Sequence, residues 1–117
     1  MDTGVGPIGM RAAPAPNAGK VVRVRWIKPY AEATCQVCVG EIVRETPEYL
    51  VMRGVVLSFR KGDRQMRRDE ERVRWIPWQQ IAVVEEMPSD LKWRHAEFFV
   101  NEMGQVSYAT GTQTNPG

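Results

Sequence analysis

Between Val21 and Glu85 the chain is a succession of short apolar and β-branched runs, each stopped by Pro, Gly or a cluster of charges. In residues 21–26, Val22, Val24 and Trp26 alternate with Arg23 and Arg25, the period of a strand with one covered face. Pro29 stops that run because it has no N–H for a sheet ladder. The apolar residues return from Cys35 to Arg44 (Val37, Val39, Ile42, Val43), with Gly40 placed where a strand bends or bulges. Residues 45–48 make a tight connection to residues 49–59, the longest apolar run, inside which Gly54 marks a second bend. Residues 72–76 and 81–85 supply two more strands, separated by Pro77-Trp78-Gln79-Gln80 as a single turn. Five strands at this spacing predict an all-β domain, a small five-stranded barrel whose closure removes the free edges of so short a sheet.

The flanking segments read differently. Residues 1–19 are mostly Gly, Pro and Ala and predict a flexible arm, since Gly has much backbone freedom to lose and Pro supplies no donor. Residues 20–87 hold the barrel, including a basic hairpin loop over 60–71 that has almost nothing to bury. Residues 88–104 predict a C-terminal helix near 90–103. Pro88 and Ser89 supply a start, Asp90 suits the positive end of the dipole, and Leu91, His95, Phe98 and Phe99 recur at near-helical spacing. Gly104 reads as its C-cap, and residues 105–117 as a loose polar tail.

At 117 residues, 43% hydrophobic and 26% charged, the chain is one domain and too apolar for wholesale disorder. No apolar stretch approaches the roughly 18 residues of a membrane span, and the N-terminus lacks the charged-then-apolar pattern of a signal peptide. A membrane protein, a secreted disulfide scaffold and a multi-domain enzyme are not expected; a cytoplasmic protein is. The formal charge of +2 hides a dipolar chain. Residues 1–28 carry +4, 29–59 carry −2, 60–74 carry +3 and 85–117 carry −3.

The stretch from Val39 to Val84 resembles the Sm-like family of small β-barrels. Gly40 and Ile42 match the family's first motif, with Thr46 at its Asp position, Tyr49 at its apolar position and Leu50 where Asn is frequent. Ile76, Ile81 and Val84 match the second motif, with Pro77-Trp78 in place of its Arg-Gly pair. The resemblance implies a barrel that finishes its edges by pairing strands between subunits. The Asp/Asn and Arg-Gly pairs that shape the family's nucleotide-holding loops are both replaced, so assembly is implied more directly than RNA binding. SH3-like barrels share the strand order and the single turn before the last strand.

Catalytic chemistry finds no constellation in the sequence. His95 is alone, the paired carboxylates sit in turns or strand ends, and no phosphate-loop motif occurs. Cys35 and Cys38 form a Cys-x-x-Cys, but zinc wants four soft ligands, and in a strand positions i and i+3 face opposite ways. Two ordinary strand cysteines are expected, the alternative being an intersubunit metal or a redox disulfide at Cys35 and Cys38; no cofactor and no small-molecule substrate is evident. The candidate binding residues for a partner or a nucleic acid are Arg60, Lys61, Arg64, Arg67, Arg68, Arg72, Arg74 and Trp78. Arg23, Arg25 and Lys28 form a second basic stripe. Arginines on an exposed hairpin can track phosphates, while Asp63, Asp69, Glu70 and Glu71 weaken the local field and equally fit a self-neutralising loop. The leading expectation is a non-enzymatic interaction module that assembles as a homo-oligomer or binds a protein partner. The alternative is binding of RNA or single-stranded nucleic acid through residues 60–74.

Overall fold

Alternating apolar residues become strands wherever both neighbours on a ladder are available. In the computed structural model, which describes residues 16–62, 65–110 and 113–114, these are β1 (Val21–Trp26), β2 (Cys35–Glu45) and β3 (Tyr49–Phe59). They are followed by β4 (Arg67–Arg68), β5 (Arg72–Pro77), a 3-10 turn (Trp78–Gln80) and β6 (Ile81–Glu86). Three further strands close the chain: β7 (Glu97–Val100), β8 (Val106–Thr110) and β9 (Gln113–Thr114). The main sheet is antiparallel with the order β4-β3-β2-β1-β6, and β5 pairs with β3 beside β4. A second antiparallel sheet has the order β9-β8-β7.

Cross-strand register sorts the side chains into two cores. Val21, Val37, Val39, Val55, Leu57 and Phe59 share one face of the main sheet and are covered by Leu91, Trp93, Ala96, Val100 and Val106. Val22, Val24, Cys38, Ile42, Leu50, Met52, Val56 and Ile76 cluster on the opposite face, with Trp26, Trp78 and Ile81 packed against them. β2 and β3 are therefore buried on both sides through their middles. At that centre Gly40 stands opposite Gly54. A Cβ on Gly40 would lie 2.0 Å from the Arg53 carbonyl oxygen, so the two backbones approach as only glycine permits.

The sheet is not a closed barrel. No ladder joins β5 to β6, and each has a single strand partner among the described residues, β3 and β1 respectively. The physical reason lies in the distribution of apolar residues: a closed barrel buries only its inner face, whereas β2 and β3 carry valines and leucines on both. The second face is served by a layer that the helix expectation had hidden.

That helix is absent. Residues 88–91 and 92–95 form turns, closed by Leu91 N–H to Pro88 O (3.0 Å) and His95 N–H to Lys92 O (3.0 Å), and β7 follows. The near-helical recurrence of Leu91, His95 and Phe98 loses to tertiary burial. Leu91, Trp93 and Ala96 insert into the core from a turn, while Phe98 and Val100 face inward on a strand that suits aromatic and β-branched residues. Gly104, expected as a helix cap, adopts φ of 77° in the hairpin turn between β7 and β8. Asn101 organises this turn, its Oδ1 accepting from the N–H groups of Met103 (2.9 Å) and Gln105 (3.0 Å). The expected loose tail contributes β8 and β9, and the expected loop over 60–71 contains β4. Of the arm over 1–19, residues 1–15 lie outside the described residues, whereas Gly19 N–H bonds Ile42 O (2.8 Å) and Asn17 bonds Glu45 (2.5 Å).

Candidate interaction surface

Three arginines from the two expected basic stripes and one from the C-terminal segment are occupied within the molecule. Arg68 donates to Ala96 O (2.8 Å), Arg94 O (3.0 Å) and Trp93 O (3.4 Å), and its guanidinium lies 5.4 Å from the centre of the Phe98 ring. Arg23 pairs with Glu85 (2.6 Å) across β1 and β6 and donates to Val106 O in β8. Arg74 pairs with Asp69 and donates to Glu70 O (3.2 Å), and Asp69 in turn accepts the Val56 N–H (2.6 Å). Arg94 bridges Glu71 (2.8 Å) and Glu41 (3.8 Å). The Arg94 hydrogen bond holds the Glu71 carboxyl below the ordinary carboxylate range, and Glu71 raises Arg94 in return.

Trp78, proposed from sequence as a binding aromatic, is half-buried against the second core. Its indole N–H donates to Thr46 O (2.8 Å), and its backbone N–H to Glu48 O (3.1 Å). Thr46 uses its hydroxyl to accept from Tyr49 N–H (2.9 Å), so the 46–48 turn and the Trp78 turn brace each other.

The remaining cations are free to act. Arg60, Lys61, Arg67 and Arg72 are exposed and form no ion pair with another described residue; Arg25 is exposed and Lys28 half-buried in the same condition. Arg64 lies outside the described residues. Cys35 and Cys38 fall on opposite faces of β2, one against each core. Burial pushes the Cys38 thiol up to about 12, an effect that the nearby Arg74 charge only partly offsets. Among the described residues no group of three His, Cys, Asp or Glu is placed to hold a metal ion. Nor is any helix there long and apolar enough to cross a membrane.

A surface that the site residues chosen from sequence did not include lies along β5. Trp75 is 55% exposed and Val73 47% exposed, both on the face opposite Ile76. Tyr49 packs edge-on against Trp75 with ring centres 5.7 Å apart, and the Arg44 guanidinium lies 4.7 Å from the centre of the Trp75 ring. The Arg44↔Val51↔Trp75 register brings these residues from three strands to one place. A signal for this patch existed in the sequence: with Ile76 inside, its strand neighbour Trp75 must point the other way. Arg44 and Tyr49 had no such signal, because their approach depends on the pairing of β2, β3 and β5.

Comparison with known proteins finds no match for this chain among family models, curated proteins or solved structures.

Proposed function

We propose that this chain is a non-enzymatic assembly module that self-associates through its open sheet edges. The observation that carries this reading is that the outer edges of β5 and β6 have no strand partner among the described residues, the first bearing exposed Val73 and Trp75, the second exposed Val84. Unpaired N–H and C=O groups on a strand edge offer a template for another strand, and apolar side chains along that edge favour its use. β5 of one copy would meet β6 of the next with Arg72 as the charge that pairs with no other described residue, since Arg74 pairs with Asp69, Glu85 with Arg23 and Glu86 with Lys20 (3.8 Å) in the same chain. An interface between two different edges is heterologous and generates a ring or a filament rather than a two-fold dimer. Contacts between the basic 60–74 segment and the acidic 85–117 segment would act in the same sense. The strand path β5-β3-β2-β1-β6 with one turn between the last two supports reading the domain as an opened relative of the Sm-like and SH3-like barrels.

Light scattering over a range of concentrations and salt tests the reading. A mass several times that of the chain, falling as salt rises, is expected; a monomer under all conditions would overturn it.

Exposed Arg60, Lys61, Arg67 and Arg72 support a second reading, in which this end of the molecule binds single-stranded nucleic acid. With four phosphate contacts, affinity should fall with a log–log salt slope of about −3. Titration of a mixed-sequence single strand at two salt concentrations measures it, and absence of binding at low salt would remove this reading.

A further inference from the structure

A cleft opens where the β7–β8 turn overhangs the start of β2. It comprises a cavity of about 460 Å³ and a smaller one of about 140 Å³, both floored by Cys35 and Phe59 and both bounded by Gly104. The size is that of a site for a small organic ligand. Cys35 and Phe59 are a cross-strand pair, and Val100 and Met103 extend the apolar wall. The rim is cationic: Lys28 and Lys61 border the larger cavity and Arg25 the smaller. Arg23 and Glu85 also border the smaller cavity, but they neutralise each other at 2.6 Å. Among the described residues, the one other carboxylate on these walls is Glu102, exposed on the turn. Among the described residues, three cations that form no ion pair there therefore face one carboxylate above an apolar floor.

We propose that this cleft binds a small amphipathic anion, a carboxylate with an apolar chain, laying the chain on Cys35, Phe59 and Val100 and the carboxylate among Lys28, Lys61 and Arg25. Both halves of the ligand are required by the lining. A compact inorganic anion leaves the floor unused, and a neutral apolar molecule places uncharged atoms against cations that want a counter-charge. The larger cavity stands apart from both strand edges of the assembly reading, whereas the smaller is bounded by Val83 and Glu85 of β6, so assembly is followed separately in the test.

Cys35 supplies an internal reporter. Cys38 is fully buried with its thiol pushed up to about 12, so a neutral alkylating reagent modifies Cys35 alone under mild conditions. Decanoate is expected to slow alkylation of Cys35 by about fivefold or more, in a saturable way, as a bound chain covers the thiol. Octanoate should bind more weakly, by up to about fourfold for each CH₂ lost from the floor. Decanol and inorganic phosphate should give no comparable protection. The Lys28→Glu/Lys61→Glu variant should alkylate at the unliganded rate with or without decanoate, and Arg25→Glu, at an exposed strand position, should weaken protection without perturbing the core. Calorimetric titration of decanoate into the intact chain gives an independent binding curve. The proposal is overturned by absence of protection, by equal protection from decanol, or by undiminished protection in both charge-reversed variants. Light scattering on the same samples reports assembly separately, so failure of one reading is not mistaken for failure of the other.

Discussion

Replacing Arg68 with Ala removes donors to the carbonyls of Trp93, Arg94 and Ala96 at once. Charged donors to carbonyls are individually stronger than neutral ones, and the segment they hold carries the fully buried Trp93. A loss of about 2–3 kcal/mol is expected, read by urea unfolding, with faster amide exchange over residues 91–100. Arg68→Lys should recover less than half, because an ammonium cannot span three carbonyls as a planar fork does. Cys38 gives a pH-dependent counterpart. Its thiol is raised from 9.0 to about 12, so the native chain keeps a proton that the unfolded chain has lost. The stabilisation is intact below about pH 9 and disappears as pH climbs toward 12. Over that window the unmodified chain should lose about 1.4 kcal/mol per pH unit more than Cys38→Ala, measured as the difference between their unfolding free energies.

At the scale of the element, the two glycine types separate by experiment. A Cβ at Gly40 meets backbone atoms of Arg53 and Gly54 that cannot move aside, and Gly40→Ala should cost about 4 kcal/mol or leave the chain unfolded. Gly104 has open space around it and only its φ of 77° at stake, so Gly104→Ala should cost about 1 kcal/mol in thermal unfolding. Both positions were legible as punctuation, yet the sequence pointed to the wrong element for the second. The first five long strands follow from alternation and from Pro or Gly at their ends, which are local properties. β7 and β8 do not, because Leu91, His95 and Phe98 fit a helical period while Phe98 and Val100 equally fit a strand. The choice is made by an uncovered valine face of β2 and β3, which no local window contains.

At the scale of the molecule, β5 and β6 each have a single strand partner among the described residues, which leaves an edge of each without a ladder there. Val73→Lys, which places a cation on the β5 edge, should reduce the assembled mass by a factor of several in light scattering while changing stability by no more than about 0.5 kcal/mol. Trp75→Ala should weaken assembly and leave the monomer folded, since more than half of the ring is exposed. The candidate site was legible here only in part. The clustering of arginine over 60–74 was visible, but its division was not: Arg68 and Arg74 work inward, whereas Arg60, Lys61, Arg67 and Arg72 face solvent. That division depends on where Asp69 and the 93–96 carbonyls come to lie, which is set by strand register and not by composition.

The C-terminal layer is fastened by guanidinium groups with two kinds of acceptor, and this gives the molecule a built-in order of release in acid. Protonation disarms carboxylates but leaves peptide carbonyls unchanged. The Arg94 link to Glu71 opens only below the usual carboxylate range, because that hydrogen bond itself holds the Glu71 proton affinity down. The Arg68 bonds to Trp93, Arg94 and Ala96 have no proton to gain and outlast it. Acid is therefore expected to open the Arg94–Glu71 link while the Arg68 bonds persist.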